Sequence, residues 1–234
     1  MCDLETESQD CGGDRLAWLC HQLKAPLAAI AAVGDLVMAE SVNPESLREL
    51  ASQLWLQVDA VHRVIDVALV EQGRPDDAPY LQELELAPTL DLVLRLAAPL
   101  LGDRQASVVV EQELPPIRAD PNKLTQILMN LLVNAINYSP PGSGIGVTAQ
   151  ALGDLVAIEV WAQGKGIPVD EQSRVFERFY RGRAERDGSR AGSGLGLYLA
   201  RKWAEEMGGR LTARSTEGSG SSFTVWLPRL GLRG

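Results

Sequence analysis

Apolar residues recur at steps of three and four from Leu16 onward, at Leu16, Leu19, Leu23, Pro26, Ile30, Val33 and Val37. That period predicts a helix with one narrow apolar seam, ending near Glu40. Asn43 suits a cap and Pro44 the first position of a second helix, whose stripe runs Leu47, Leu50, Leu54, Val58, Val61, Ile65 and Leu69. Two long helices joined by a short loop make an antiparallel hairpin. One hairpin leaves half of its apolar surface wet, so a homodimer closing a four-helix bundle is the expected assembly.

Both patterns break at Gly73-Arg74-Pro75-Asp76-Asp77-Ala78-Pro79, the expected domain boundary. Beyond it, Thr89 to Leu101 reads as a helix, Ala106 to Gln112 as a strand and Pro121 to Tyr138 as a helix. Ile145 to Ala151 and Val156 to Ala162 read as strands, and Leu195 to Met207 as a helix closed by Gly208-Gly209. Arg210 to Ser215 and Ser222 to Leu227 form a last strand pair. Helices layered on antiparallel strands make an α+β sandwich. The expected organisation is an acidic, disordered tail at 1–14, a helical hairpin at 15–73, a linker at 74–80, a sandwich domain at 81–229 and a tail at 230–234.

Composition narrows the setting. The chain has 234 residues, 45% of them hydrophobic, enough to bury a core and to exclude disorder throughout. With 31 acidic against 22 basic residues the net charge is -9, which disfavours nucleic acid as a partner. No apolar run approaches the roughly 18 to 20 residues of a spanning helix, and the opening MCDLETESQD lacks a signal peptide's basic start. A soluble, cytoplasmic protein with no membrane span is expected. Cys2, Cys11 and Cys20 are an odd set without metal-ligand spacing. Only the short tail precedes the hairpin, so any signal is expected to come from a partner protein, from the tail's cysteines or from a segment outside this chain.

Candidate chemistry lies mostly after the linker. Gln126, Asn130, Asn134 and Asn137 stand at steps of three and four along one predicted helix. Mid-helix asparagine costs helix propensity, and a plain wet face would carry Lys and Glu instead. Amide oxygens are hard, uncharged ligands that suit Mg²⁺ held together with a substrate's phosphates. Gly164-Lys165-Gly166-Ile167-Pro168 follows a strand, and Gly192-Ser193-Gly194-Leu195-Gly196-Leu197 opens a helix, where backbone N–H groups suit a polyphosphate. Between them stand Arg174, Arg178, Arg181, Arg183, Arg186 and Arg190, a positive excess fit for a phosphate lid. Phe176 and Phe179, three apart, are expected to pack a short lid helix onto the domain.

Taken together these segments resemble the transmitter core of a two-component sensor histidine kinase. CHQLKAPLAAI resembles the H-box, DPNKLTQILMNLLVNAINYSP the N-box, GKGIP the G1 box, VFERFYR the F-box, GSGLGLYLA the G2 box and GSGSSFTVWLP the closing strand. The resemblance implies a dimerisation and phosphoacceptor hairpin followed by a Bergerat-fold ATP-binding domain. It implies ATP and Mg²⁺, autophosphorylation of His21, and phosphotransfer to an aspartate of a response-regulator receiver domain. The nucleotide site it implies comprises Asn130, Asn134, Asn137, Tyr138, Ala162, Gly164, Gly166, Ile167, Arg178, Arg181, Gly192, Gly194, Leu195 and Gly196, with Asn134 as the Mg²⁺ ligand. With Leu16 and Leu23 on the seam, His21 falls on the outer face. Pro26 removes the hydrogen bond to the Gln22 carbonyl at about 3 kcal/mol, which gives a bend beside His21 a motive.

Four positions depart from the family pattern. Ala162 stands where the family has the aspartate that accepts from the adenine amino group, a loss of about 1.5 to 3 kcal/mol. Gln22 replaces the acidic residue that takes the histidine's proton, help worth roughly 10²- to 10⁴-fold. Ala25 replaces a threonine that positions hydrolytic water, and Asn137 replaces a basic residue near the phosphates. The expected function is therefore a histidine kinase with weakened nucleotide binding. The alternative is a pseudokinase or phosphotransfer scaffold that docks a response regulator.

Overall fold

The computed structural model describes residues 10–38, scattered residues from 46 to 65, residues 79–101, 104, 106–182 and 194–230. The chain divides into two compact units, Met1–Asp76 and Asp77–Gly234. Among the described residues no helix is long and apolar enough to cross a membrane.

The first unit holds helix α1 (Asp10–Met38), a single run through Pro26. It begins ahead of the expected start, so Cys11, Gly12 and Gly13 lie inside the helix rather than in a disordered tail. Pro26 and Val33 are buried and Leu23 and Ile30 half-buried, following the predicted seam, whereas Val37 is exposed. The described residues from Ser46 to Ile65 are all helical. Leu50, Leu54 and Val61 of the expected stripe are half-buried, together with Leu56, Gln57 and Ala60, and Val64 is buried, whereas Val58 and Ile65 of that stripe are 40% and 43% exposed.

The second unit opens with strand β1 (Gln82–Leu84) and helix α2 (Leu86–Leu101), which buries Leu86, Leu90, Val93 and Ala97 on one face. Strands β2 (Ala106–Val110) and β3 (Ile117–Ala119) precede helix α3 (Pro121–Tyr138). Then come β4 (Ile145–Leu152), β5 (Leu155–Gln163), helix α4 (Gly196–Glu206), β6 (Arg210–Thr216) and β7 (Gly220–Pro228). β1 and β3 form a small antiparallel sheet absent from the sequence-based assignment, because three residues are too few to show a period of two. The main sheet runs β2-β4-β5-β7-β6. Its strands are antiparallel except that β2 pairs parallel with β4, with α3 in the crossover between them. The expectation of a purely antiparallel sheet is corrected there. Parallel neighbours need such a crossover, and single-strand patterning carries no sign of direction.

Helix α3 is the pivot of the core. Asp120 caps it, its carboxylate accepting from Asn122 N at 2.9 Å and Lys123 N at 3.2 Å, and Pro121 occupies the first turn where no N–H is needed. The other oxygen of Asp120 accepts from Tyr80 N at 2.9 Å, fixing the chain's entry into the unit. At the far end Arg104 donates to the Ile136 and Ser139 carbonyls at 2.9 and 3.3 Å, placing positive charge on the helix's negative pole. Lys123 pairs with Glu206 at 2.8 Å and so ties α3 to α4.

Candidate functional site

One cavity of about 190 Å³ opens between α3, the sheet and the loop after β5. Its helix wall is Asn134, Ala135 and Tyr138 of α3 with Leu197 of α4. Its sheet wall is Val160 and Ala162 of β5 with Ser221 and Phe223 of β7. Gly164 to Pro168, Glu171, Val175 and Gly182 make the loop wall. The alternation of β7 explains one of these neighbours. Phe223, Val225 and Leu227 are buried on one face, so Ser221 two residues earlier shares it, and Ala162 is its register partner on β5.

The loop wall is held by glycine conformation and by a small hydrogen-bond network. Gly164 passes so close to the end of α3 that a Cβ there would lie 2.6 Å from the Tyr138 carbonyl oxygen. Gly166 adopts φ +68°, and a Cβ would strike the Thr216 carbonyl, so glycine is required at 164 for the loop to pass the end of α3 and at 166 for it to lie on the β6–β7 hairpin. Ile167 N donates to Ser215 Oγ at 2.7 Å, and Ser215 Oγ in turn donates to the Gly220 carbonyl at 2.8 Å. Gln172 Nε2 bridges the Ile167 and Ser215 carbonyls at 3.0 Å each. Gly218 N donates to the Lys165 carbonyl at 2.7 Å. These bonds fasten the loop to the β6–β7 hairpin.

Of the residues named from sequence, Asn134, Tyr138, Ala162, Gly164, Gly166 and Ile167 line this cavity together. Asn130 lies one turn back and is buried under the start of α4, its Oδ1 3.2 Å from where a Gly196 Cβ would stand, so Gly196 admits the close approach of α4 to α3. Leu195 is buried core at the entry to α4, and Gly194 turns with φ +69° against the Phe179 backbone. Gly192, Arg183, Arg186 and Arg190 lie outside the described residues, as does the side chain of Gln22. His21 is exposed on α1, as is Cys20 beside it.

Two groups differ from the sequence reading. Asn137 is exposed and lines a separate depression with Arg104, Pro140 and Gly142. At about 100° per residue the cavity is centred between Asn134 and Tyr138 on the helix wheel, which leaves Asn137 roughly a quarter-turn or more away. Arg178 and Arg181 are not among the lining residues either. The Arg178 guanidinium stacks over the Phe179 ring at 4.6 Å. Phe176 packs onto the domain, edge-on to Phe223 at 6.3 Å, whereas Phe179 is 46% exposed at φ +60° in a run of turns rather than a lid helix.

Sequence reasoning also missed groups on or beside the cavity. Glu171 is a buried carboxylate, 5% exposed, whose Oε2 lies 2.7 Å from the point a Gly182 Cβ would take. Gln172 and Ser215 hold the loop, and Ser221 faces Ala162. Only the period of two along β7 hinted at any of them. Gln163 is engaged, its Oε1 accepting from Gly144 N at 3.0 Å. Among the described residues no three of His, Cys, Asp and Glu cluster as a metal site. An ion held here through the Asn134 amide would complete its coordination with oxygens of water or of a bound ligand.

A family model described as histidine kinase-, DNA gyrase B-, and HSP90-like ATPase matches residues 119–231. The chain is 32% identical over 218 residues to sensor histidine kinase ZraS of Escherichia coli (strain K12), a match covering 92% of this chain and 45% of that protein. It is 30% identical over 221 residues to sensor-like histidine kinase SenX3 of Mycobacterium tuberculosis (strain ATCC 25618 / H37Rv), covering 93% and 54%. The chain thus spans about half the length of these curated relatives. Among solved structures, the mycobacterial sensor histidine kinase MprB is similar with TM-score 0.57 at 28% identity, over 64% of this chain and 100% of that one. Full-length ShkA in complex with AMPPNP shares the fold with TM-score 0.64 at 24% identity, over 94% and 47%.

Proposed function

We propose that this chain, which resembles the sensor histidine kinases through its ATPase domain at residues 119–231, is an ATP-dependent protein histidine kinase with weakened nucleotide binding. ATP binds in the cavity, with its base toward the sheet wall and its phosphates toward Asn134 and the start of α4. The Asn134 amide oxygen would help to hold Mg²⁺ with the nucleotide, and the ion would neutralise phosphate charge. An imidazole nitrogen of His21 bonds to the γ-phosphorus as the bond to the bridging oxygen breaks, leaving ADP and phosphohistidine. The phosphoryl group then passes to an aspartate of a response-regulator receiver domain. With Gln22 beside it, His21 loses its proton without a neighbouring carboxylate to help.

The observation that carries this reading is one cavity in which Asn134, Ala162 and the Gly164 to Ile167 loop meet. The apolar side chains left exposed on the first unit, Leu27, Leu36, Val58 and Ile65, support a homodimer, in which a second hairpin would cover them. Labelled Mg·ATP is expected to modify the chain with an acid-labile, alkali-stable phosphate that is lost in His21→Ala and kept in His62→Ala.

A second reading, a pseudokinase or phosphotransfer scaffold that docks a response regulator, is favoured by two absences of function at once. Ala162 has no acceptor for an adenine amino group, and the neighbouring Gln163 oxygen is already held by Gly144. Under this reading a response regulator already phosphorylated on aspartate would label His21, while ATP would not.

A further inference from the structure

We propose that the cavity does not distinguish the group at position 6 of a purine ring, so that 6-oxo and 6-amino purine nucleotides bind with similar affinity; this rests on the cavity being a nucleotide site. Phosphates stripped of water are costly to bury, whereas a heteroaromatic ring is not, so the base belongs against the most apolar surface available. That surface is the sheet wall, where Val160, Ala162 and Phe223 face the cavity.

Adenine and hypoxanthine differ there in the direction of one hydrogen bond. The amino group donates and the oxo group accepts, so selecting between them takes a partner that can do only one of the two. A carboxylate only accepts, whereas a hydroxyl does either by turning its proton. Of the sheet-wall side chains Val160, Ala162, Ser221 and Phe223, none is a carboxylate or any other group that can only accept. Ala162 has no polar side-chain atom, and its register partner Ser221 carries a hydroxyl. β5 is flanked on both sides, Ala162 pairing with Ile145 and Ser221, so its backbone groups serve the ladders. Gln163 is fastened to Gly144 twice, through its side-chain oxygen at 3.0 Å and its backbone N–H at 2.9 Å. The carboxylate that the cavity does hold, Glu171, stands on the loop wall against Gly182. Ser221 is left to meet the base edge, and it serves both kinds of purine.

The test is the affinity of the full chain for Mg·ADP and Mg·IDP, measured by competition with a fluorescent nucleotide. IDP is the probe because it changes position 6 without adding the 2-amino group of GDP. The two are expected to agree within about threefold, less than one ordinary hydrogen bond supplies. In Ala162→Asp, ADP should tighten and IDP weaken, opening a gap of at least about tenfold, since a carboxylate accepts from the amino group and repels the oxo group. A tenfold or greater preference for ADP in the unsubstituted chain overturns the proposal. If Glu171→Gln then erased that preference, the acid on the loop wall would be the reader of the base. If neither nucleotide binds, the nucleotide reading itself falls, an outcome distinct from tight binding of ADP with discrimination against IDP.

Discussion

Gln163 and Gly144 are joined by a pair of hydrogen bonds, the Gln163 backbone N–H donating to the Gly144 carbonyl at 2.9 Å and the Gly144 N–H to Gln163 Oε1 at 3.0 Å. The pair closes the end of the β4–β5 ladder at the edge of the cavity. An amide oxygen used in this way gains nothing by swinging to a base, because one hydrogen bond of about 0.5–1.5 kcal/mol would be exchanged for another. Gln163→Ala is therefore expected to leave ADP affinity within about twofold, while Ala162→Asp tightens it at least several-fold by supplying the missing acceptor. Calorimetric titration of both variants checks this. A large loss in Gln163→Ala would show that the glutamine does reach the nucleotide.

Asn134 and Asn137 differ in the cavity each faces. If the cavity holds the nucleotide as proposed, removing the amide that lines it, in Asn134→Ala, should lower affinity for Mg·ADP by about tenfold and erase most of the dependence on Mg²⁺, the loss of one charge-assisted contact. Asn137→Ala, on the depression beside Arg104, should change neither. Equal losses in the two variants would mean that the cavity has been assigned to the wrong side of α3.

Gly166 and Gly142 both have positive φ, +68° and +77°, yet a Cβ at Gly142 meets open space whereas one at Gly166 meets the Thr216 carbonyl. Gly142→Ala should cost about 1 kcal/mol of stability from strain alone. Gly166→Ala should cost about 1–3 kcal/mol more, because the loop must also leave the β6–β7 hairpin. Urea unfolding of both variants measures the difference, and equal midpoints would show that the contact with Thr216 is readily relaxed.

Beside His21, a carboxylate at position 22 would give the imidazole proton an acceptor. Gln22→Glu is expected to raise the initial rate of His21 phosphorylation by about 10²-fold, the lower end of general-base help. An unchanged rate would place the proton's departure outside the slow step, with water receiving it.

Much of the fold was legible locally. The bounds of α3 follow from Asp120 and Pro121 at one end and Ser139-Pro140 at the other, signals that act within a few residues of the helix. The first-helix seam through Leu23, Pro26, Ile30 and Val33 was likewise readable from its spacing. The second helix was harder, because apolar residues lie on two adjacent faces. Choosing Val64 over Val58 and Ile65 as the packed position requires the partner surface. Glycine motifs marked the loop after β5, but not its fastening through Ser215 and Gln172, which come from positions 48 and 5 residues away from Ile167.

The sequence by itself determined where the longer strands and helices α2 to α4 lie to within a few residues, which glycines and amides surround the loop after β5, and which departures touch chemistry. Those are properties of spacing and residue type, and they survive in a linear string. Tertiary structure alone decided that β2 runs parallel to β4, that Ser221 stands opposite Ala162, that Glu171 is buried on the cavity's loop wall, and that Asn137 faces elsewhere. Each depends on how distant segments are brought side by side. Strand register and the angle around a helix axis are set by packing across the core, and no single segment carries that information.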